Sequence, residues 1–139
     1  MNLYILDTDS LTLYQHGSAA IDSRVRRLSP GELAVTVISV EEQIAGRFAR
    51  LRRAQPPDQL ARAYQRLADT VTMLSRLAIL SFTEPAIARY EQLAALKLKV
   101  GKMDFRIAAV TLEHGGVLVT RNLRDFQRIP NLIVENWAV

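Results

Sequence analysis

Asp7, Glu42 and Asp104 are the carboxylates best placed in this chain to do chemistry together. Each stands where an apolar run gives way to a segment of helical character. Asp7 closes the run that begins at Asn2, Glu42 follows Leu33-Ala-Val-Thr-Val-Ile-Ser39 by a few residues, and Asp104 opens Asp104-Phe-Arg-Ile-Ala-Ala-Val110. In an open α/β sheet, ligands bind beyond the carboxyl ends of the strands. Acids gathered there make an oxygen-rich pocket suited to a hard divalent cation such as Mg2+ or Mn2+. Such a cation activates water and neutralises charge on a phosphate, which is what phosphodiester hydrolysis at neutral pH demands. Without it the carboxylates repel one another.

Each acid also has a plainer explanation. Asp7 is a fitting helix N-cap, a role Asp9 fills equally well. Glu42 lies three residues after Ser39 and completes a capping box with it. Asp104 near a helix start is stabilised by the helix dipole without any further role. What sets the three apart is that they occupy equivalent places in the topology.

The elements that must position them alternate in type. Leu3–Leu6 reads as a short buried strand, with a helix from about Asp9. A second helix runs from Ala19 to Leu28 and stops before Ser29-Pro-Gly. Leu33–Ile38, rich in β-branched residues, reads as a strand, with Ser39 as N-cap of a helix ending near Arg53. From about Asp58 to Leu77, the residues Leu60, Ala63, Tyr64, Leu67, Val71 and Leu74 recur at spacings of three and four and predict one buried stripe. Ile79–Phe82 is a further strand, and Thr83-Glu-Pro85 starts another helix. A helix from Met103 or Asp104 stops at Gly115-Gly116, with Val117–Val119 and Leu132–Val134 as the last strands. This alternation predicts an α/β fold built on a central, mostly parallel sheet.

A chain of 139 residues without repeats or linkers predicts a single domain over residues 1–139. It contains no cysteine, so disulfides and thiolate zinc sites are excluded. The two histidines, His16 and His114, lack metal-ligand spacing, which argues against a zinc or histidine-based centre. No apolar stretch reaches the roughly 20 residues of a membrane span. Asp7 and Asp9 interrupt what would otherwise pass for an apolar leader, so the expected location is the cytoplasm. Fifteen arginines and three lysines outweigh fourteen acids to give a net charge of +4. Such a balance suits phosphate-bearing partners. Arg47, Arg50, Arg52 and Arg53 form the densest basic run, and positions 47 and 50 share a helix face from which they can address an RNA backbone. Lys97, Lys99 and Lys102 precede Asp104, and Arg121 and Arg124 flank the last motif.

Four segments, in order, resemble the PIN-domain ribonucleases, in particular the small bacterial toxins of VapC type. Leu6-Asp-Thr-Asp9 resembles the family's opening motif. Ile38-Ser-Val-Glu-Glu-Gln-Ile-Ala-Gly46 resembles its second, in which the glutamate lies four residues before the glycine, selecting Glu42 over Glu41. Asp104-Phe-Arg-Ile-Ala-Ala109 resembles its third, and Val119-Thr-Arg-Asn-Leu-Arg-Asp-Phe126 its last. The resemblance implies a three-layer PIN-like fold and a metal-dependent endoribonuclease in which Asp7, Glu42 and Asp104 hold Mg2+ or Mn2+. It also implies an RNA substrate, a protein antitoxin as partner, and a homodimer. The family's fourth acidic position falls on Asn122, an amide that ligates or orients water without adding charge; Asp125, one turn on, is the alternative source of that carboxylate. Thr120 is positioned to orient a carboxylate or phosphate, whereas Ile107, Ala108, Ala109 and Trp137 are expected to pack.

Two other readings compete. Asp7-Thr-Asp-Ser-Leu11 resembles the nucleophile loop of haloacid-dehalogenase-like phosphatases, with Asp7 as nucleophile and Asp9 as general acid, although Leu11 stands where threonine or valine belongs. Alternatively, with Asn122 in place of an acid, the chain is a PIN-like scaffold that binds RNA or protein without cutting.

Overall fold

The computed structural model describes residues 2–53 and 55–139. Five short strands carry the architecture: β1 (Tyr4–Leu6), β2 (Leu33–Thr36), β3 (Ala78–Leu80), β4 (Val117–Val119) and β5 (Ile133–Glu135). They form one sheet in the order β3-β2-β1-β4-β5, with every neighbouring pair parallel. Parallel strands need crossovers, and helices supply them. These are α1 (Thr8–Gln15), α2 (Ala19–Val25), α3 (Val37–Leu51), α4 (Pro57–Leu74), α5 (Glu84–Ala95), α6 (Lys102–Glu113) and α7 (Leu123–Phe126).

Strand alternation divides the core in two. Ile5, Ala34 and Leu118 face one side, where Leu93 of α5 and Phe105, Ile107, Ala108 and Ala109 of α6 cover them. Leu6, Val35 and Val119 face the other, against Leu11, Ile21, Leu74 and Trp137. Each fully buried Leu or Ile contributes about 1.5–3 kcal/mol. The result is the expected three-layer sandwich, helices on both faces of a sheet. Trp137 packs against Tyr4 with ring centroids 5.2 Å apart, and its indole N–H donates to Glu135 Oε1 at 2.9 Å.

Gly116, just before β4, is a place where no side chain fits. A Cβ there would lie 2.9 Å from Ile5 Cδ1 and 3.0 Å from the Leu3 carbonyl oxygen. The second contact is with backbone and cannot rotate away. Gly116→Ala is therefore expected to cost about 1–3 kcal/mol. A urea denaturation midpoint equal to that of the wild type would show that β1 yields freely.

Three local expectations require correction. The run Leu33–Ile38 is strand only to Thr36; Val37 and Ile38 already lie in the first turn of α3. Thr36, not Ser39, caps that helix, accepting a hydrogen bond from Ser39 N at 3.2 Å. The β-branched run has strand character throughout, but a hydroxyl at the strand end satisfies the helix's orphan N–H and decides the boundary. Finally, the apolar stripe of α4 is not one buried face. Leu74 is buried, whereas Leu60, Tyr64 and Val71 are 36%, 57% and 51% exposed. The main neighbour of α4 is α3 alone, so only its C-terminal end reaches the sheet core.

Among the described residues no helix is long and apolar enough to cross a membrane.

Candidate active site

The register of the three central strands brings their carboxyl ends level. Leu6 pairs with Val35 on one side and Val119 on the other, so Asp7, Thr36 and Thr120 end β1, β2 and β4 together. All three are buried. The Asp7 amide donates to the Val119 carbonyl at 2.9 Å, continuing the ladder one residue past β1. The chain then turns into α1, with Asp7 as N-cap: its Oδ1 accepts from Ser10 N at 2.8 Å. Capping and the candidate site thus use one carboxylate, and Asp9 is not the cap.

Burial pushes the Asp7 carboxyl above the ordinary range. Hydrogen bonds from Thr120 and Ser10 pull it back, and the nearby charge of Asp9 adds to the rise. Thr120 Oγ1 accepts from the Asn122 backbone N–H at 2.9 Å.

Glu42 arrives from the second turn of α3. Its capping-box explanation fails, because Ser39 is inside the helix and Glu42 Oε1 accepts instead from Thr8 Oγ1 at 2.7 Å. Thr8 Oγ1 also lies 2.8 Å from Ser39 Oγ. The single hydroxyl proton of Thr8 goes to the carboxylate, so Ser39 must donate to Thr8. This relay fixes Glu42 relative to β1 through Thr8, a residue of the opening motif Leu6-Asp-Thr-Asp9 to which the sequence alone assigns no role.

Asp104 enters from the opposite layer, in the first turn of α6. It is half-buried, and its carboxyl is raised to about 6 by burial first, then by the charges of Glu42, Asp7 and Asp125.

Asp7, Glu42, Asp104 and Asn122 line one cleft of about 350 Å3, with Thr8 and Asp9 on its wall. Asp125 does not line it. Asp125 Oδ2 accepts from Asn122 Nδ2 at 3.1 Å, holding that amide. Asp9 is engaged elsewhere too: Arg121 Nε and Nη2 donate to its two oxygens at 2.7 and 2.9 Å. With both oxygens held in a bidentate pair, Asp9 is unsuited to the general-acid role of the phosphatase reading. His114 is a structural residue, its Nδ1 2.9 Å from the Val110 carbonyl.

The donor set is entirely oxygen, open to solvent, and carries carboxyls that like charge and burial hold above their ordinary range. These are the properties that a hard cation reverses. Among the described residues no three His, Cys, Asp or Glu side chains stand close enough to enclose one ion. The residues fit a magnesium-type ion, which keeps several waters and takes only one or two carboxylates directly.

Comparison with known proteins places this frame. The family model for the PIN domain matches residues 4–132. This chain belongs to the PIN-domain family. Among similar PIN-domain proteins is Ribonuclease VapC2 of Haemophilus influenzae, 31% identical over 141 residues, covering 97% of this chain and 98% of that one. Ribonuclease VapC2 of Rickettsia felis is 41% identical over 68 residues, a match spanning 46% of this chain and 51% of its relative. In three dimensions the chain is similar to one in the DNA-bound VapBC complex of Salmonella typhimurium, with a TM-score of 0.78, 28% identity and 99% of each chain covered. It is likewise similar to a chain of VapBC-1 from nontypeable Haemophilus influenzae, with a TM-score of 0.75, 28% identity and 99% of each chain covered.

Proposed function

We propose that this protein is a divalent-metal-dependent endoribonuclease, the toxin of a toxin–antitoxin pair, cutting RNA at the cleft formed by Asp7, Glu42 and Asp104. The observation that carries this is the convergence of three carboxylates, from β1, α3 and α6, on one open cleft within a PIN fold. Relatives of nearly full-length match are named ribonucleases, and similar folds occur in VapBC complexes, which also supports a protein antitoxin as partner.

Asp7, Asp104 and Glu42 would hold Mg2+ or Mn2+, directly or through bound water, and the ion when bound supplies an activated water and screens charge on the scissile phosphate. The chain's own residues do the positioning. Ser10 N holds the Asp7 carboxylate through its Oδ1 at 2.8 Å. Thr8 holds Oε1 of Glu42, and Oε2 makes no hydrogen bond among the described residues. Asn122, steadied by Asp125, offers an uncharged amide at the cleft mouth. It adds no negative charge, which suits a single tightly held cation better than two.

The test is cleavage of transfer and ribosomal RNAs by purified protein with Mg2+, Mn2+ or EDTA, alongside thermal unfolding under the same conditions. Discrete products confined to the metal conditions are expected. The cation should also raise the unfolding midpoint, because it binds only the assembled cluster. RNA bound but never cut, with no thermal response to either metal, would favour the non-catalytic scaffold.

A further inference from the structure

The acidic cleft continues into a second channel that the proposed chemistry does not use. Thr8, Thr12 and Glu42 belong both to the cleft and to an adjoining hollow of about 280 Å3, which runs along α3 past Gly46 to Arg47 and Arg50. Arg47 leads in turn into a cavity of about 330 Å3 against α4, and Arg50 into one of about 200 Å3. Arg66 lines both of these. The result is one branched groove, with the cleft carboxylates at one end and, at the other, arginines with Asp69 among them.

The cations in it are poised rather than consumed. Arg47 is held through its Nε by Thr70 Oγ1 at 3.1 Å, and its terminal nitrogens have no hydrogen bond among the described residues. Thr70 is buried and in turn donates to the Arg66 carbonyl at 2.8 Å, so the support is rigid. Arg50 and Arg66 form no side-chain hydrogen bond or ion pair among the described residues. Arg62 differs, being paired with Asp58 at 3.3 Å. Asp69, the other carboxylate of the groove, already accepts from Gln65 at 2.8 Å.

Gly46 supplies the second observation. It sits inside the 15-residue helix α3, where glycine weakens a helix relative to alanine. Nothing internal requires it: no atom lies within 4 Å of the position a Cβ would occupy, and its φ is not positive. It stands between Glu42 and Arg50 on one helix row, in the floor of the groove. The absent side chain leaves open space in which a molecule outside the chain can approach the backbone closely.

We infer that this groove seats the RNA backbone flanking the cut phosphate, with Gly46 as its floor and Arg47, Arg50 and Arg66 binding successive phosphates. The inference rests on the proposed nuclease for the location of the cut. The stretch from Glu42 to Arg50 covers about 12 Å of helix at 1.5 Å per residue, enough for a few extended nucleotides. Walls of arginine, glutamine and threonine suit a polyanion better than an apolar protein segment. The arginine forks, more weakly hydrated than ammonium groups, suit phosphate.

Binding is measured in EDTA, so that no cutting intervenes, with a labelled single-stranded RNA of roughly 12 nucleotides. The Arg50→Ala/Arg66→Ala variant is expected to bind about tenfold more weakly, with the salt dependence of log affinity shallower by about 1.4, or about 0.7 for each lost phosphate contact. Arg50→Lys/Arg66→Lys should recover most of the salt dependence. Gly46→Gln fills the floor: it should weaken RNA binding while leaving the thermal midpoint at or above that of the wild type. Wild-type affinity and salt dependence in both the alanine and glutamine variants would overturn the inference. So would a Gly46→Gln protein that melts early, since the glycine would then serve the fold. So would variants that keep RNA but lose a co-expressed antitoxin, which would make the groove a protein-docking surface. Cleavage by the wild type with unaltered RNA binding in the variants removes the groove and leaves the nuclease. RNA binding lost in the variants, with no metal-dependent cleavage by the wild type, does the reverse.

Discussion

Replacing Asp104 by asparagine is expected to remove RNA cleavage and, in the same protein, to raise the stability of the metal-free fold above pH 6. The first effect follows if Asp104 is one of the metal-holding carboxylates; a loss of about 100-fold or more in rate is expected, the scale on which removing one preorganised electrostatic partner of a reaction acts. The second follows from the electrostatics of the cluster. The Asp104 carboxyl stands at about 6 in the fold against an ordinary 3.8, so the folded state holds this proton more tightly than the unfolded one. Stability from this group is therefore undiminished below about pH 4, falls as pH rises toward 6, and stays reduced above it. The full shift would correspond to about 3 kcal/mol. Asp104 is only half-buried, and solvent screening reduces that to about 1 kcal/mol.

Asparagine keeps the shape and sheds the charge, so the variant gains this amount at pH 8 and nothing at pH 4. Urea denaturation of both proteins at the two pH values, without metal, measures the difference. A variant no more stable than wild type at pH 8 would mean that Asp104 is not under repulsion. Cleavage retained at wild-type rate would remove it from the site altogether. Millimolar Mg2+ should reverse the ranking, since the wild-type cluster gains a counter-ion and the variant gains less.

Asp7 carries a different pair of consequences, because one carboxylate serves both helix and cleft. Asp7→Asn keeps an oxygen that can accept from Ser10 N, so α1 should start where it does now. It also removes a buried charge whose carboxyl lies above the ordinary range, so the fold at neutral pH should be no less stable. Cleavage should nevertheless fall by about 100-fold or more. Asp7→Ala should lose cleavage to the same degree and in addition about 1 kcal/mol of stability, from a helix start left without its acceptor. The two variants together separate the cap from the chemistry. An Asp7→Asn protein that cuts RNA normally would reduce Asp7 to a cap.

The layered parallel fold was legible because the strands Tyr4–Leu6, Leu33–Thr36 and Val117–Val119 are short apolar runs, buried on both faces of the sheet. Such runs stand out wherever polar helix surfaces separate them. The boundary between β2 and α3 was not legible, since Val37 and Ile38 have strand propensity and only the Thr36 hydroxyl, bonding across three residues, commits them to helix. The outer face of α4 misled for a related reason. A spacing of three and four records that Leu60, Tyr64 and Val71 share a side, not that anything covers it.

The same division runs through the candidate site. Asp7 and Asp104 stand out in the chain because they fall at a strand end and a helix start, where local sequence marks the turn, whereas the choice of Glu42 over Glu41 and the naming of Asn122 rest on the resemblance to the PIN motifs. The meeting of these four in one cleft depends on β1 lying between β2 and β4, an order that local sequence does not encode. Only the packed structure assigned Thr8 to Glu42 and Arg121 to Asp9, pairs 34 and 112 residues apart. Only it made Asp125 a support for Asn122 rather than a wall of the cleft. Hydrophobic period and turn chemistry act between near neighbours and so survive in the one-dimensional pattern. Hydrogen bonds and charge repulsion between distant residues exist only once the two layers have closed on the sheet.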